Sequence, residues 1–119
     1  MPKLMPLITA ILLFVFSTSA HSHTDEAEAA VLAWLEAIDS GQFEQAWETS
    51  SSILQVPLSS NMLARTINAA RRDFGAVESR RRVRVIRETS MPGAPIGDYA
   101  VFTFQTRFEN KPQITETIT

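Results

Sequence analysis

The chain has 119 residues, 11 basic and 13 acidic side chains for a formal net charge of −2, and a hydrophobic fraction of 45%. That length holds one domain with an adequate but not generous core, and the acidic balance argues against nucleic acid as a partner. With no cysteine in the sequence, disulfides, thiol catalysis and lipid attachment to a cysteine are excluded.

The first predicted element is a leader. Met1-Pro2-Lys3 is followed by an apolar run from Leu7 to Phe16 and then by Ser17-Thr18-Ser19-Ala20, the charged, apolar and small-residue succession of a secretory signal. The run is too short to span a bilayer, which disfavours the rival reading of an N-terminal anchor. Cleavage is expected after Ala20, with Ser19 as the nearest alternative, giving a signal peptide over 1–20 and a single domain over 21–119. Loss of Lys3 leaves 10 basic against 13 acidic side chains, and the product is expected to be periplasmic or secreted, with no membrane span after processing. Its start would be His21-Ser22-His23, and a histidine at the third position can close a square-planar copper(II) or nickel(II) site. A flexible polar leader accounts for the same residues, and no cofactor is expected.

Helical periodicity appears next. Ala27, Val31, Trp34, Leu35 and Ile38 fall on one stripe from about Asp25 to Ser40. Thr24 or Asp25 can cap the start, and Gly41 suits a left-handed stop. A short second helix should turn Phe43, Ala46 and Trp47 inward before Thr49-Ser50-Ser51-Ser52. This hairpin resembles one tetratricopeptide unit, but no second copy follows, and a solenoid needs several. A third helix is expected from Ser59 or Ser60 to about Asp73, with Leu63, Ile67, Ala70 and Phe74 buried and Gly75 ending it.

Alternation then takes over. A strand from Ala76 to about Arg87 is expected to point Val83 and Val85 inward and Arg80, Arg82 and Arg84 outward. The turn-rich loop Met91 to Gly97 leads to Asp98–Phe108, where Ala100, Phe102, Phe104 and Phe108 share one face, broken only by Thr106. Each buried phenylalanine is worth about 1.5–3 kcal/mol, so helices must cover that face. A last alternating run covers Gln113 to Thr119. Helices followed by strands, without βαβ alternation, predict an α+β fold with N-terminal helices packed on one face of a curved antiparallel sheet.

Several of these residues also carry a family resemblance. Arg71 to Arg80 with Gly75, Val77 and Ser79, then Pro92-Gly93-x-Pro95-x-Gly97-x-Tyr99, then Phe108-x-Asn110-Lys111 with Glu116, together with Trp34-Leu35 and Asp39-x-Gly41 through Trp47, resemble the DUF4019 family of small exported bacterial proteins. The resemblance implies a shape similar to the cone of nuclear transport factor 2 and the cystatins, and no known activity. Met62 and Ile96 depart from its usual tryptophan and aspartate. The family also continues beyond a glutamate like Glu116 through a closing strand, so the chain is expected to be C-terminally truncated or incomplete.

Charge is segregated along the sequence. From His21 to Ala64 there are carboxylates and no lysine or arginine, whereas Arg65 to Arg87 holds eight arginines. Two readings stand. The acidic and basic segments can neutralise one another across the fold as surface pairs of little individual worth, or Arg80, Arg82 and Arg84 can form a ladder for an anionic partner. An enzyme would need a base in a pocket, and Asp39 with Tyr99 is the pair that fits the outline of small isomerases and hydratases with a cone-shaped fold. The reading favoured is a non-catalytic binding module of the cell envelope, acting on an envelope partner or a small ligand. Self-association through the edge run 113–119 is also expected, because a β-branched strand left unpaired invites another chain.

Overall fold

The computed structural model describes residues 24–119. The expected signal peptide, its cleavage site and the histidines His21 and His23 lie outside the described residues. The chain divides into two units between Ala30 and Val31. In the first, residues 24–30 are helical; the packing and the site described below belong to the second.

Among the described residues, four helical segments precede three strands. Helix α1 covers 24–39 and stops where expected. Gly41 has φ 77°, its N–H donates to Ile38 O at 3.1 Å, and the N–H of Gln42 donates to Ala37 O at 2.8 Å. That paired closure satisfies the last carbonyls of the helix and needs a residue without a Cβ in the left-handed region. Helix α2 is Phe43–Glu48 and α3 is a single turn, Ser52–Gln55. Helix α4, Ser60–Arg71, begins at a cap in which the Ser59 hydroxyl accepts from the N–H of Met62.

The one-turn α3 is absent from the sequence reading, and its reason is tertiary. The Gln55 side chain donates to Trp47 O at 2.8 Å and so ties the turn to the end of α2. Both indoles are also satisfied. Trp34 Nε1 donates to Ser50 Oγ at 2.9 Å, and Trp47 Nε1 donates to Leu58 O. Ala37, Ile38, Ala46 and Leu63 form the buried centre of the helical layer, with Trp34, Phe43, Trp47, Leu58 and Ile67 packed around it. Ala70, expected inside, is exposed.

The sheet is antiparallel in the order β1-β2-β3, with β1 at Val77–Glu88, β2 at Tyr99–Phe108 and β3 at Lys111–Ile118. Its inner face is the one expected. Phe102, Phe104, Thr106 and Phe108 are buried on the central strand, and Phe74, just after α4, meets the Phe108 ring at 4.9 Å between centroids. Ile114, Glu116 and Ile118 of β3 register with Thr106, Phe104 and Phe102 and so share that face.

Strand β1 does not follow simple alternation. Arg82 is opposite Phe104 and Arg84 is opposite Thr103, so Val83 is an extra residue, a bulge, and it is 44% exposed rather than turned inward. Side-chain parity therefore reverses at Val83. Arg80 and Arg82 register with the inner-face residues Thr106 and Phe104, whereas Arg84 registers with Thr103 on the outer face. The three arginines expected on one outward face are divided between both. Val85, opposite Phe102, does lie on the inner face.

Candidate functional site: an ion-pair square beside an open cleft

Four charged residues from four segments converge at one end of the inner face. Asp39 ends α1, Arg71 ends α4, Arg80 lies on β1 and Glu116 on β3. The Arg80 guanidinium grips Asp39 through Nη1–Oδ2 at 2.7 Å and Nη2–Oδ1 at 3.2 Å. It grips Glu116 through Nε–Oε1 at 2.7 Å and Nη2–Oε2 at 3.2 Å. Arg71 closes the figure, donating to Asp39 Oδ1 at 2.7 Å and to Glu116 Oε2 at 3.0 Å. Two cations and two anions alternate around the square, and its formal charge is zero.

Surrounding groups complete it. The Thr106 hydroxyl donates to Glu116 Oε1, which explains a threonine in the middle of a phenylalanine row: a buried polar group persists where it has a partner. The Arg71 guanidinium also lies over the Phe108 ring, 5.2 Å from its centroid, at the range of a cation–π contact. Arg80 and Glu116 are the deepest members, with side chains 10% and 11% exposed, while Arg71 and Asp39 are 20% and 21% exposed. Among the described residues, no buried side-chain nitrogen or oxygen lacks a partner.

This environment sets the ionisation of Asp39. Burial pushes its carboxyl up, but hydrogen bonds and positive charge from Arg80 and Arg71 outweigh burial and hold it below its ordinary value. Burial likewise pulls Arg80 down, and its bonds to Asp39 and Glu116 overcome this and hold it above the ordinary range. Both groups are charged at neutral pH, and Asp39 is a poor proton acceptor.

Beside the square an open cleft of about 470 Å³ is lined by Ile38, Phe43, Ile67 and Val77, with Asn68 and the flanks of Asp39 and Arg71. Gly75 stands at its wall with φ 77°. A Cβ there would come within 2.9 Å of the Glu109 Cβ, so the wall requires glycine on both conformational and steric grounds.

A match to the family described as "Protein of unknown function (DUF4019)" spans residues 30–119. The chain belongs to this family. No curated protein matches it, and no solved structure does. In this DUF4019 chain, residues that carried the resemblance, Asp39, Arg71, Arg80 and Glu116, are the members of the square.

The remaining sequence-predicted site residues are placed as follows. Asp39 lines the cleft, but Tyr99 is at the opposite end of β2, on the outer face, with its hydroxyl donating to Pro95 O. The two are not brought together. Of the arginine ladder, Arg80 is committed to the square, and Arg82 and Arg84 are exposed on opposite faces. Sequence reasoning missed Arg71 as a site residue and named Glu116 only among the residues that carry the resemblance. The available signal was Thr106, whose hydroxyl in an apolar row implies a polar partner on the neighbouring strand. Among the described residues, no group of His, Cys, Asp and Glu could hold a metal ion, and no helix is long and apolar enough to cross a membrane.

Proposed function

We propose that this DUF4019 domain is a non-catalytic binding module of the bacterial cell envelope, exported by its N-terminal leader, and that the cleft beside the ion-pair square receives a small ligand with an apolar body. The observation that carries this reading is the state of Asp39. It is the acid lining the cleft, yet both of its oxygens accept from guanidiniums, so it can shape a site but not abstract a proton. Ile38, Phe43, Ile67 and Val77 offer apolar contact beside the polar groups of Asp39, Asn68 and Arg71, so a ligand that joins an apolar body to a polar group suits the cleft. The isomerase or hydratase alternative has no support from a convergence of Asp39 with Tyr99.

A partner reading accompanies it. Strand β3 is an edge of the described sheet, and a second copy of the chain can add to it by backbone pairing.

The cleft is tested by titrating the protein with anilinonaphthalene sulfonate while recording amide NMR shifts. Shifts should concentrate at Gly41, Asn68, Gly75 and Ala76. Asn68→Trp, a replacement on the exposed side of α4, should fill the cleft and weaken binding about tenfold, the effect of roughly 1.4 kcal/mol. Shifts scattered over other surfaces, or equal binding by Asn68→Trp, would overturn the reading.

A further inference from the structure

The face of the sheet turned away from the square has its own chemistry. Parity along β2 places Tyr99, Val101, Thr103, Gln105 and Arg107 there, and register adds Arg81 opposite Gln105 and Arg84 opposite Thr103 from β1. Thr115 and Thr117 of β3 join the same rows. Arg81, Arg84 and Arg107 are exposed, and among the described residues none of the three forms an ion pair or a side-chain hydrogen bond. In a chain of net negative charge, three unpaired guanidiniums therefore share one face with hydroxyl and amide groups, against a single acid of the paired strands, Glu88, at the far end opposite Tyr99.

The β1–β2 loop supplies the second feature. Tyr99 Oη donates to Pro95 O, and a Cβ at Gly97 would touch the Tyr99 ring at 3.4 Å. The loop is thus folded onto the outer face, with Ile96 held between these two anchored residues. Ile96 is 88% exposed; Pro92, Ala94 and Pro95 precede it, and the nearest charge, Asp98 two residues on, is paired with Arg87 at 3.6 Å. An isoleucine so displayed gains nothing from water and would gain from an apolar medium.

We infer that this face docks on the surface of an anionic phospholipid bilayer, with Arg81, Arg84 and Arg107 among the headgroup phosphates and Ile96 inserted at the boundary of the acyl region. Charge complementarity selects the anionic surface, since guanidiniums hold phosphate oxygens in bidentate fashion. The apolar loop tip selects a bilayer over a soluble acidic polymer, which offers nothing for Ile96 to enter. Tyr99, with an apolar ring and a polar tip, suits the interfacial depth between the two. The acids Glu36, Glu44 and Glu48 of the helical layer would be repelled by the same surface, so attraction and repulsion together fix an orientation. The inference concerns the face opposite the cleft and stands whatever the cleft binds.

Because the chain has no cysteine, a single one can be introduced for labelling. Full-chain Ile96→Cys, carrying an environment-sensitive fluorophore, is mixed with vesicles of phosphatidylglycerol and phosphatidylcholine. The emission should shift to the blue, and the shift should vanish with phosphatidylcholine alone and weaken as salt is raised. The same label at Arg65→Cys, on exposed α4, should stay in water. Replacing Arg81, Arg84 and Arg107 by glutamine should weaken the Ile96 response about a hundredfold, the effect of three basic side chains near an anionic surface. Replacing Arg65 and Arg72 should leave it intact. Three results would overturn the inference: no shift at position 96, an equal shift at position 65, or a response that survives the triple substitution. Polyglutamate that displaces the protein from vesicles no better than salt at the same ionic strength supports the bilayer, whereas tight binding of polyglutamate in their absence overturns it.

Discussion

Arg80 donates to both acids of the square, and its replacement isolates what the square does. An Arg80→Met variant keeps an apolar stem but leaves Glu116, whose side chain is 11% exposed, without its strongest partner. Breaking a buried pair from one side costs about 3 kcal/mol, and the loss should appear as a lower urea midpoint with an unchanged slope. Asp39 gives a different signature. Its folded carboxyl sits below the ordinary value, so the stability it contributes is complete above the unfolded value near about 4 and is lost as pH falls through the lower folded value. Wild type should therefore exceed Asp39→Asn in stability at neutral pH, with the gap closing in acid below about pH 4. A gap that stays constant down to the acid transition would show that the carboxylate's charge is not what matters.

Among the elements, the helical layer and the inner face of β2 were legible because each repeats a period: Trp34, Leu35 and Ile38 on one stripe, Phe102, Phe104 and Phe108 on one side. Strand β1 was not, because a bulge inserts one residue and alternation carries no mark of where. Arg-Arg-Arg-Val-Arg-Val reads as well through Val83 as around it. Register now shows that Val83 is the surplus residue, and deleting it should leave both halves of β1 on their present faces. We expect the Val83 deletion to fold, with a melting temperature lowered by a few degrees through lost twist. Deletion of Thr103 from the regular part of β2 should unfold the chain, since it moves half the strand's side chains to the wrong face. Equal tolerance of the two, followed by circular dichroism melts, would contradict the register.

At the scale of the molecule, the two edges of the described sheet are unlike. Strand β1 carries Arg81, Arg82, Arg84 and Arg87 and two register breaks, features that discourage pairing by another chain. Along β3 the run from Ile114 to Ile118 pairs without a break, and its one charge, Glu116, is turned into the square. Self-association should therefore use β3. Sedimentation should show a concentration-dependent dimer that Thr117→Lys abolishes, and a protein monomeric at every concentration would argue against it.

The site's members come from positions as far apart as 39 and 116, a separation over which periodicity says nothing. Asp39, Arg71 and Glu116 could each be seen in the sequence, but their meeting depends on how α1, α4 and β3 dock, which no local pattern encodes. Only the resemblance had gathered them, without saying that they touch.

The square has a further consequence for motion. An edge strand ordinarily breathes away from its neighbour, exposing its amides to exchange at little cost. Here Glu116 is bonded to side chains from α4, β1 and β2, so peeling β3 would strand two guanidiniums against the single carboxylate of Asp39. The strand is latched rather than merely laid in place, and its amides should exchange with deuterium on the schedule of the central strand instead of the schedule of a loose edge.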